Sequence, residues 1–215
     1  MPKLVVFDFD GTLANSFHAF LQVGNEIARR NRIPELTLEE VKALSGMSIR
    51  EKCRRVGLPL YKLPAVTAQV LANFRKYITS VPPMDGVRDM LAALKENGFS
   101  LAIVSSNSEA NIRDWLKVQD FKLFDDVISS RGLLGKAKSI RRLLKLRSLR
   151  PDEVVYVGDE IRDIEACKET NVAMIAVTWG LDSQELLQSG EPQHIVSSPA
   201  EIPSLVQAMR EVRRE

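Results

Sequence analysis

The chain has 215 residues, enough for one large domain or for a core plus a smaller second unit. Its 45% hydrophobic and 27% charged residues suit a soluble globular fold, and a formal net charge of +2 supplies no field that would favour nucleic acid or a membrane. No apolar run approaches the ~20 residues that cross a bilayer. Met1-Pro2-Lys3 leads into a strand rather than a signal peptide, so a cytoplasmic location is expected. The two cysteines, Cys53 and Cys167, fall in different predicted units and read as buried free thiols. Nothing in the sequence speaks to oligomeric state.

The first element is the apolar run Leu4 to Phe7, which reads as a strand buried on both faces, as in the centre of a parallel sheet. Asp8-Phe9-Asp10-Gly11-Thr12 follows it directly. Parallel sheets bind ligands beyond the carboxyl ends of their strands. Asp8 and Asp10, two residues apart in an extended segment, stand on the same side, while Phe9 turns into packing. Two like charges at about 4 Å and an effective dielectric of about 20 repel by roughly 4 kcal/mol. Such a pair asks for a proton or a cation, and an oxygen-only donor set suits Mg²⁺. The alternative is a polar strand end with a local turn.

Residues 15–82 contain no convincing strand and read as four helices. Phe17 to Asn31 carries Phe20, Val23, Ile27 and Ala28 at helical spacing. Thr37 with Glu40, and Ser48 with Glu51, are capping boxes. The helix from Ser48 runs to Gly57, and a fourth is predicted from Val66 to Thr79, stopped by Pro82-Pro83. An all-helical insertion straight after the first strand is too long for an ordinary crossover and reads as a separate lid. The expected division is a core of residues 1–14 and 83–215 and a helical cap of residues 15–82.

From Asp85 onward helix and strand alternate. Asp85 is expected to cap a helix over Val87 to Asn97, and Leu101 to Val104 forms a strand ending in Ser105-Ser106-Asn107. A helix from Glu109 to Val118, a short strand at Val127-Ile128 and a helix from Lys136 to Leu146 follow. Val154 to Val157 is a strand, Arg162 to Thr170 a helix and Val172 to Val177 another strand. Ser198-Pro199-Ala200-Glu201 opens a last helix. Repeated β-α units predict an α/β fold, a doubly wound, Rossmann-like parallel sheet with the helical cap inserted.

Three more groups stand at predicted strand ends: Ser105, Lys136 after Gly135, and Gly158-Asp159-Glu160-Ile161-Arg162-Asp163. Ser106 and Ser108 compete with Ser105 as helix-cap serines, and Lys138 competes with Lys136. Lys136 to Arg150 holds seven basic residues and no acid, but Ile140, Leu143 and Leu144 give it a buried side, so its charges read as a solvated face. His18 and His194 show no ligand or triad spacing, and Trp179 reads as packing.

In this order the four motifs resemble the signatures of the haloacid dehalogenase superfamily, whose members are mostly Mg²⁺-dependent phosphotransferases. Asp10 at its position resembles the phosphatase and phosphomutase branch. Val177-Thr178-Trp179-Gly180 and the tail around Ile195-Val196 are similar to phosphoglycolate-phosphatase-type members. The resemblance implies Asp8 as nucleophile, Asp10 as general acid/base, and Ser105 and Lys136 as holders of the transferring phosphoryl group. It implies Mg²⁺ as cofactor, bound by Asp8, the Asp10 backbone carbonyl and Asp159, with Asp163 acting on metal, its water or Lys136. Thr12 and Asn107 are expected to contact substrate. Arg50, in the first turn of the helix after Gly46-Met47-Ser48, resembles a cap arginine of sugar-phosphate mutases that grips a second anionic group. Its alternative is an exposed arginine paired with Glu51.

The expected function is hydrolysis of a small phosphorylated metabolite, phosphoglycolate-like or a sugar phosphate, through an aspartyl-phosphate. The alternatives are a phosphomutase of the β-phosphoglucomutase type and a non-catalytic phosphate-binding module. No nucleic-acid or membrane partner is expected. A receiver domain shares the Asp/Thr/Lys logic, but the large helical insertion does not suit one.

Overall fold

The structure, a computed structural model, describes residues 1–44, 47–130 and 135–211. Its centre is a six-stranded sheet of β1 (Leu4–Phe7), β2 (Ser100–Ser105), β3 (Asp126–Ser129), β4 (Val154–Gly158), β5 (Ala173–Val177) and β6 (His194–Val196). The strand order is β3-β2-β1-β4-β5-β6 and every pairing is parallel. After β1 the chain winds outward through β2 and β3, then returns to the other side of β1 for β4, β5 and β6. The order therefore reverses at β1, and the crevice of such a sheet opens there, beyond the carboxyl ends.

Side chains alternate across the sheet, and each set joins its own core. Val5, Phe7, Leu101, Ile103, Val155, Val157, Ile175 and Val177 share one cluster. It is completed by α5 (Val87–Glu96), α6 (Glu109–Val118) and α10 (Glu201–Glu211) through residues such as Leu91, Trp115 and Val206. Leu4, Val6, Ala102, Val104, Tyr156, Met174 and Ala176 point the other way. They meet α7 (Lys136–Arg147), α8 (Ile161–Thr170) and α9 (Gln184–Ser189). Burying each large apolar side chain contributes about 1.5–3 kcal/mol, which is why the central strands carry almost nothing but Val, Ile, Leu, Phe and Ala.

Between β1 and β2 lie α1 (Phe17–Asn31), α2 (Leu38–Ala43), α3 (Ile49–Arg55) and α4 (Leu63–Phe74). Both predicted capping boxes form, at Thr37 with Glu40 and at Ser48 with Glu51. The rings of Phe20 and Phe74 stack at 4.0 Å between centroids, holding α1 against α4. Val23, Ile27, Phe74 and Ile78 join the same apolar cluster as the sheet face. Where the chain leaves and re-enters the sheet region the two connections run side by side. Ala14 bridges Pro83, Asn15 N–H donates to the Pro82 carbonyl at 2.9 Å, and Met84 N–H to the Leu13 carbonyl at 2.9 Å.

Several local expectations need correction. The fourth helix of the insertion starts at Leu63, with a proline in its first turn, and ends at Phe74 rather than running to Thr79. A separate turn of 3₁₀ helix, Ile78–Ser80, then buries Ile78, while Arg75 between them reaches Asp114 of α6. Contacts with the core thus override the continuous helical pattern. Asp85 does not cap α5; the N-cap is Gly86, at φ +80°, a left-handed conformation that favours glycine. The last helix begins at Glu201, whose carboxylate accepts from the N–H groups of Ser197 and Ser198. Strand β6 and helix α9 are both too short to give a clear period.

Candidate active site

The site is built outward from β1. Asp8 continues that strand, donating its N–H to the Val157 carbonyl at 2.9 Å, so β4 fixes where its side chain emerges. Its Oδ1 accepts from the Phe9 N–H at 2.7 Å and its Oδ2 from Lys136 Nζ at 2.7 Å. Phe9 points away, edge-on to Trp115 with ring centroids 5.1 Å apart. Gly11 then turns the chain at φ +79°, and Leu13 and Ala14 both donate back to the Phe9 carbonyl. A Cβ at Gly11 would run into the carboxylate of Asp159.

Asp159 follows the last residue of β4 and is fully buried. Thr12 Oγ1 donates to its Oδ1 at 2.6 Å and Leu181 N–H to its Oδ2 at 2.8 Å. Gly180 makes room as Gly11 does, since a Cβ there would also collide with Asp159. Asp163, in the first turn of α8, is buried against Lys136 and accepts from the Glu160 N–H at 3.3 Å. Gly158 leaves space for it. Lys136, the first residue of α7, therefore bridges Asp8 and Asp163 from a buried position, with the Tyr156 ring 5.7 Å from its nitrogen.

One oxygen each from Asp8, Asp159 and Asp163 lies within 4.8 Å of the others. At an effective dielectric of about 20 each such pair repels by about 3.5 kcal/mol. Burial, then the neighbouring Glu160, Asp8 and Asp163 charges, raises Asp159 well above the usual carboxylate range. Burial pushes Asp163 upward too, and Lys136 pulls it back. For Lys136 burial disfavours the charge, but Asp163 and Asp8 outweigh it and hold the ammonium more firmly protonated than an ordinary lysine. One lysine against three buried carboxylates leaves an excess of negative charge around hard oxygen donors. That donor set fits Mg²⁺ and not a soft metal.

Asp10 sits apart from this cluster. Asn107 Nδ2 donates to its Oδ2 at 2.9 Å, while its Oδ1 is buried with no hydrogen-bond partner among the described residues. Burial, then the charge of Asp8, pushes its pKa up to about 7. The Ser16 hydroxyl beside it tempers the rise without meeting hydrogen-bond geometry, and Asn107 acts in the same direction. Ser105, at the end of β2, is buried, and its Oγ accepts from the Asn107 N–H at 3.2 Å. Ser108 caps α6 instead, and Lys138 is exposed.

The structure thus brings Asp8, Asp159, Asp163 and Lys136 into one group, with Asp10, Ser105 and Asn107 at the neighbouring strand end. Thr12 and Asn107, expected against substrate, have their side chains turned to the carboxylates of Asp159 and Asp10. Arg50 is exposed on α3, and Glu51, considered as its partner, holds the Ser48 capping box. No contact joins Arg50 to the carboxylate group among the described residues; Gly46, which the sequence reading grouped with Met47 and Ser48, lies outside them. The basic α7 pairs outward, Arg141 with Glu169 and Arg147 with Asp126, as a solvated face does.

Sequence reasoning quoted Gly158, Gly180, Glu160 and Arg162 within its motifs without giving them a role, and it missed the Ser16 hydroxyl. It also missed Asn111 and Asp182, whose carboxylate accepts from the Ile161 N–H at 2.7 Å and steadies the start of α8. The usable signal for Asp182 was its place in the turn region that follows β5.

Comparison with known proteins agrees with this geometry. A family model for haloacid dehalogenase-like hydrolases matches residues 5–177. A phosphoglycolate phosphatase of Synechococcus elongatus is 30% identical over 214 residues, covering 99% of this chain and 100% of its own. The pyrophosphatase PpaX of Listeria monocytogenes is 25% identical, covering 94% of this chain and 95% of its own. Among solved structures, a haloacid dehalogenase-like family hydrolase from Streptococcus pneumoniae superposes with a TM-score of 0.83. It covers 95% of this chain and 98% of its own at 21% identity, a likeness of fold.

Proposed function

The chain belongs to the haloacid dehalogenase-like hydrolase family and is a phosphatase of that type, and we propose that it is a Mg²⁺-dependent one acting on small phosphorylated metabolites. The observation that carries this reading is the ammonium of Lys136 held against Asp8 at 2.7 Å, with Asp159 and Asp163 converging on the same point. Asp8 is the nucleophile. Its carboxylate attacks phosphorus, the ester P–O bond breaks, and Asp10 delivers a proton to the leaving oxygen. Water then attacks the aspartyl-phosphate, Asp10 takes its proton, and the bond to Asp8 breaks to restore the carboxylate. Lys136 and Ser105 hold the phosphoryl oxygens, while Thr12 and Asn107 fix the carboxylates they touch.

Asp8, Asp159, Asp163 and the backbone carbonyl of Asp10 would hold Mg²⁺. When bound, the ion supplies charge neutralisation for the transferring phosphoryl group. The helices of residues 15–82 act as a lid that keeps bulk water from these contacts. The reaction consumes a dianionic ester of the phosphoglycolate or sugar-phosphate class. A panel of such esters, with pyrophosphate included and Mg²⁺ present, tests it. Phosphate release from at least one ester without a sugar bisphosphate is expected; no release from any would overturn the reading.

The metal has a readout besides activity. A ligand at a hundred times its Kd stabilises a fold by about 2.7 kcal/mol, which for a domain of this size is a rise in Tm of roughly 5–10 °C. Mg²⁺ should give such a rise, and Asp159→Asn should remove it while leaving the metal-free protein at least as stable, because a repelling carboxylate is gone. Activity should vanish in EDTA, and Ca²⁺ should inhibit, since the larger ion takes more ligands and draws Asp8 out of its attacking orientation. Full turnover in EDTA would remove the metal from the account.

Substrate choice is assigned in part to Arg50, whose neighbour Glu51 is engaged in the Ser48 capping box and whose guanidinium suits a carboxylate or second phosphate. Arg50→Ala should raise KM for the metabolite about tenfold and leave an aryl phosphate nearly unaffected, the mark of lost ground-state binding. Equal loss on both substrates would return Arg50 to the solvated surface.

A further inference from the structure

Asp10 owes its orientation to Asn107, and Asn107 is itself held. A backbone N–H can only donate, so the atom of the Asn107 amide facing the Ser108 N–H at 2.8 Å is the oxygen. The same oxygen receives Asn111 Nδ2 at 3.0 Å. With its oxygen anchored twice, the amide must turn its NH₂ toward Asp10 Oδ2, which it meets at 2.9 Å. The backbone of Asn107 is fixed as well, its N–H on Ser105 Oγ and its carbonyl accepting from Ser129 Oγ at 2.7 Å. Asn107 and Asn111 are both 1% exposed, so solvent does not compete for these bonds. Asn111 lies in the first turn of α6, where its N–H also reaches the capping Ser108 Oγ.

We propose that Asn111 is a positioning residue that, through Asn107, fixes how the carboxyl group of Asp10 is presented to the leaving group. An oxygen that already accepts from an NH₂ is the poorer place for a proton. The Asn107 NH₂ thus occupies Oδ2 and leaves Oδ1, which has no hydrogen-bond partner among the described residues, for exchange with the leaving group. Were the Asn107 amide reversed, its carbonyl would face Oδ2, and the contact that holds the Asp10 carboxyl group in this orientation would be lost. The inference rests on the reading of Asp10 as general acid.

The test compares Asn111→Ala and Asn111→Asp with wild type on two probes: the alkyl phosphate that wild type hydrolyses fastest, and 4-nitrophenyl phosphate. An alkoxide needs a proton as it leaves; a nitrophenolate does not. The quantity read is the ratio of kcat/KM for the alkyl ester to that for the aryl ester, on one preparation, so a partly folded sample cancels. General acids contribute about 10²–10⁴ in rate, and the Ala variant, with Ser108 still holding the amide, should lose roughly tenfold in this ratio. The Asp variant should lose more, because a carboxylate repels the Asn107 oxygen and draws its NH₂ away from Asp10. A ratio unchanged in both variants, with activity kept or lost equally on the two esters, would overturn the proposal. So would an Asp variant that retained the wild-type ratio. Failure of wild type on both esters would instead refute the phosphatase reading.

Discussion

Asp8→Asn should lower kcat/KM by about 10⁴-fold or more on every ester while leaving Tm within a few degrees of wild type. An amide of the same shape does not attack phosphorus. Its Oδ1 can still accept from the Phe9 N–H, and Lys136 keeps Asp163 as its counter-charge. One of three converging carboxylates is neutralised, which offsets the lost contact with the lysine. The assay needs protein free of deamidation, because a trace of restored aspartate would mimic residual turnover. Turnover by clean protein within a hundredfold of wild type would remove Asp8 as the nucleophile.

Lys136→Ala should be the most disruptive single change, in stability as well as rate. Lys136 is the one cation bonded to Asp8 and Asp163 among the described residues, and all three are buried. Removing one partner of a buried ion pair costs about 3–5 kcal/mol, since the other charge stays desolvated and unpaired. For a chain of this length that is a fall in Tm of roughly 6–20 °C. The same variant should lose activity, having no charge to hold the transferring group. Mg²⁺ should recover part of the stability but not the rate, because it answers the carboxylates without restoring a donor in the lysine's place. A variant as stable as wild type without metal would show that Asp163 is not ionised against Lys136.

The sheet was legible because burial on both faces leaves an unmistakable mark. Leu4 to Phe7 and Val154 to Val157 are apolar runs too short to be helices, and each ends in the aspartate that the structure places in the cluster. The capping boxes at Thr37 and Ser48 were legible because they are local, each needing two residues three apart. Position was harder to read where it depends on tertiary contact. The break between Phe74 and Ile78 comes from packing and from Arg75 reaching Asp114, and neither leaves a period in the sequence.

The same division runs through the site. The carboxylates and Lys136 announce themselves by chemistry at strand ends. Their supports do not. Gly180 matters because Asp159, 21 residues earlier, occupies the space of its missing Cβ. Asn111 matters because Asn107 turns back toward it across one turn of helix. Thr12 was read from the sequence as a substrate contact, and nothing in the sequence pointed to its 2.6 Å bond to Asp159.

The central claim is that phosphoryl transfer passes through Asp8. Wild-type protein is mixed with a turned-over ester and Mg²⁺, quenched in acid within one turnover, and reduced with borohydride. The peptide that follows Lys3 is then sequenced by mass spectrometry. Reduction converts an acyl-phosphate to an alcohol, so Asp8 should appear as homoserine in the reacting sample and as aspartate in a control without substrate. Phosphate release with Asp8 unmodified throughout, or homoserine at any other aspartate, would contradict it.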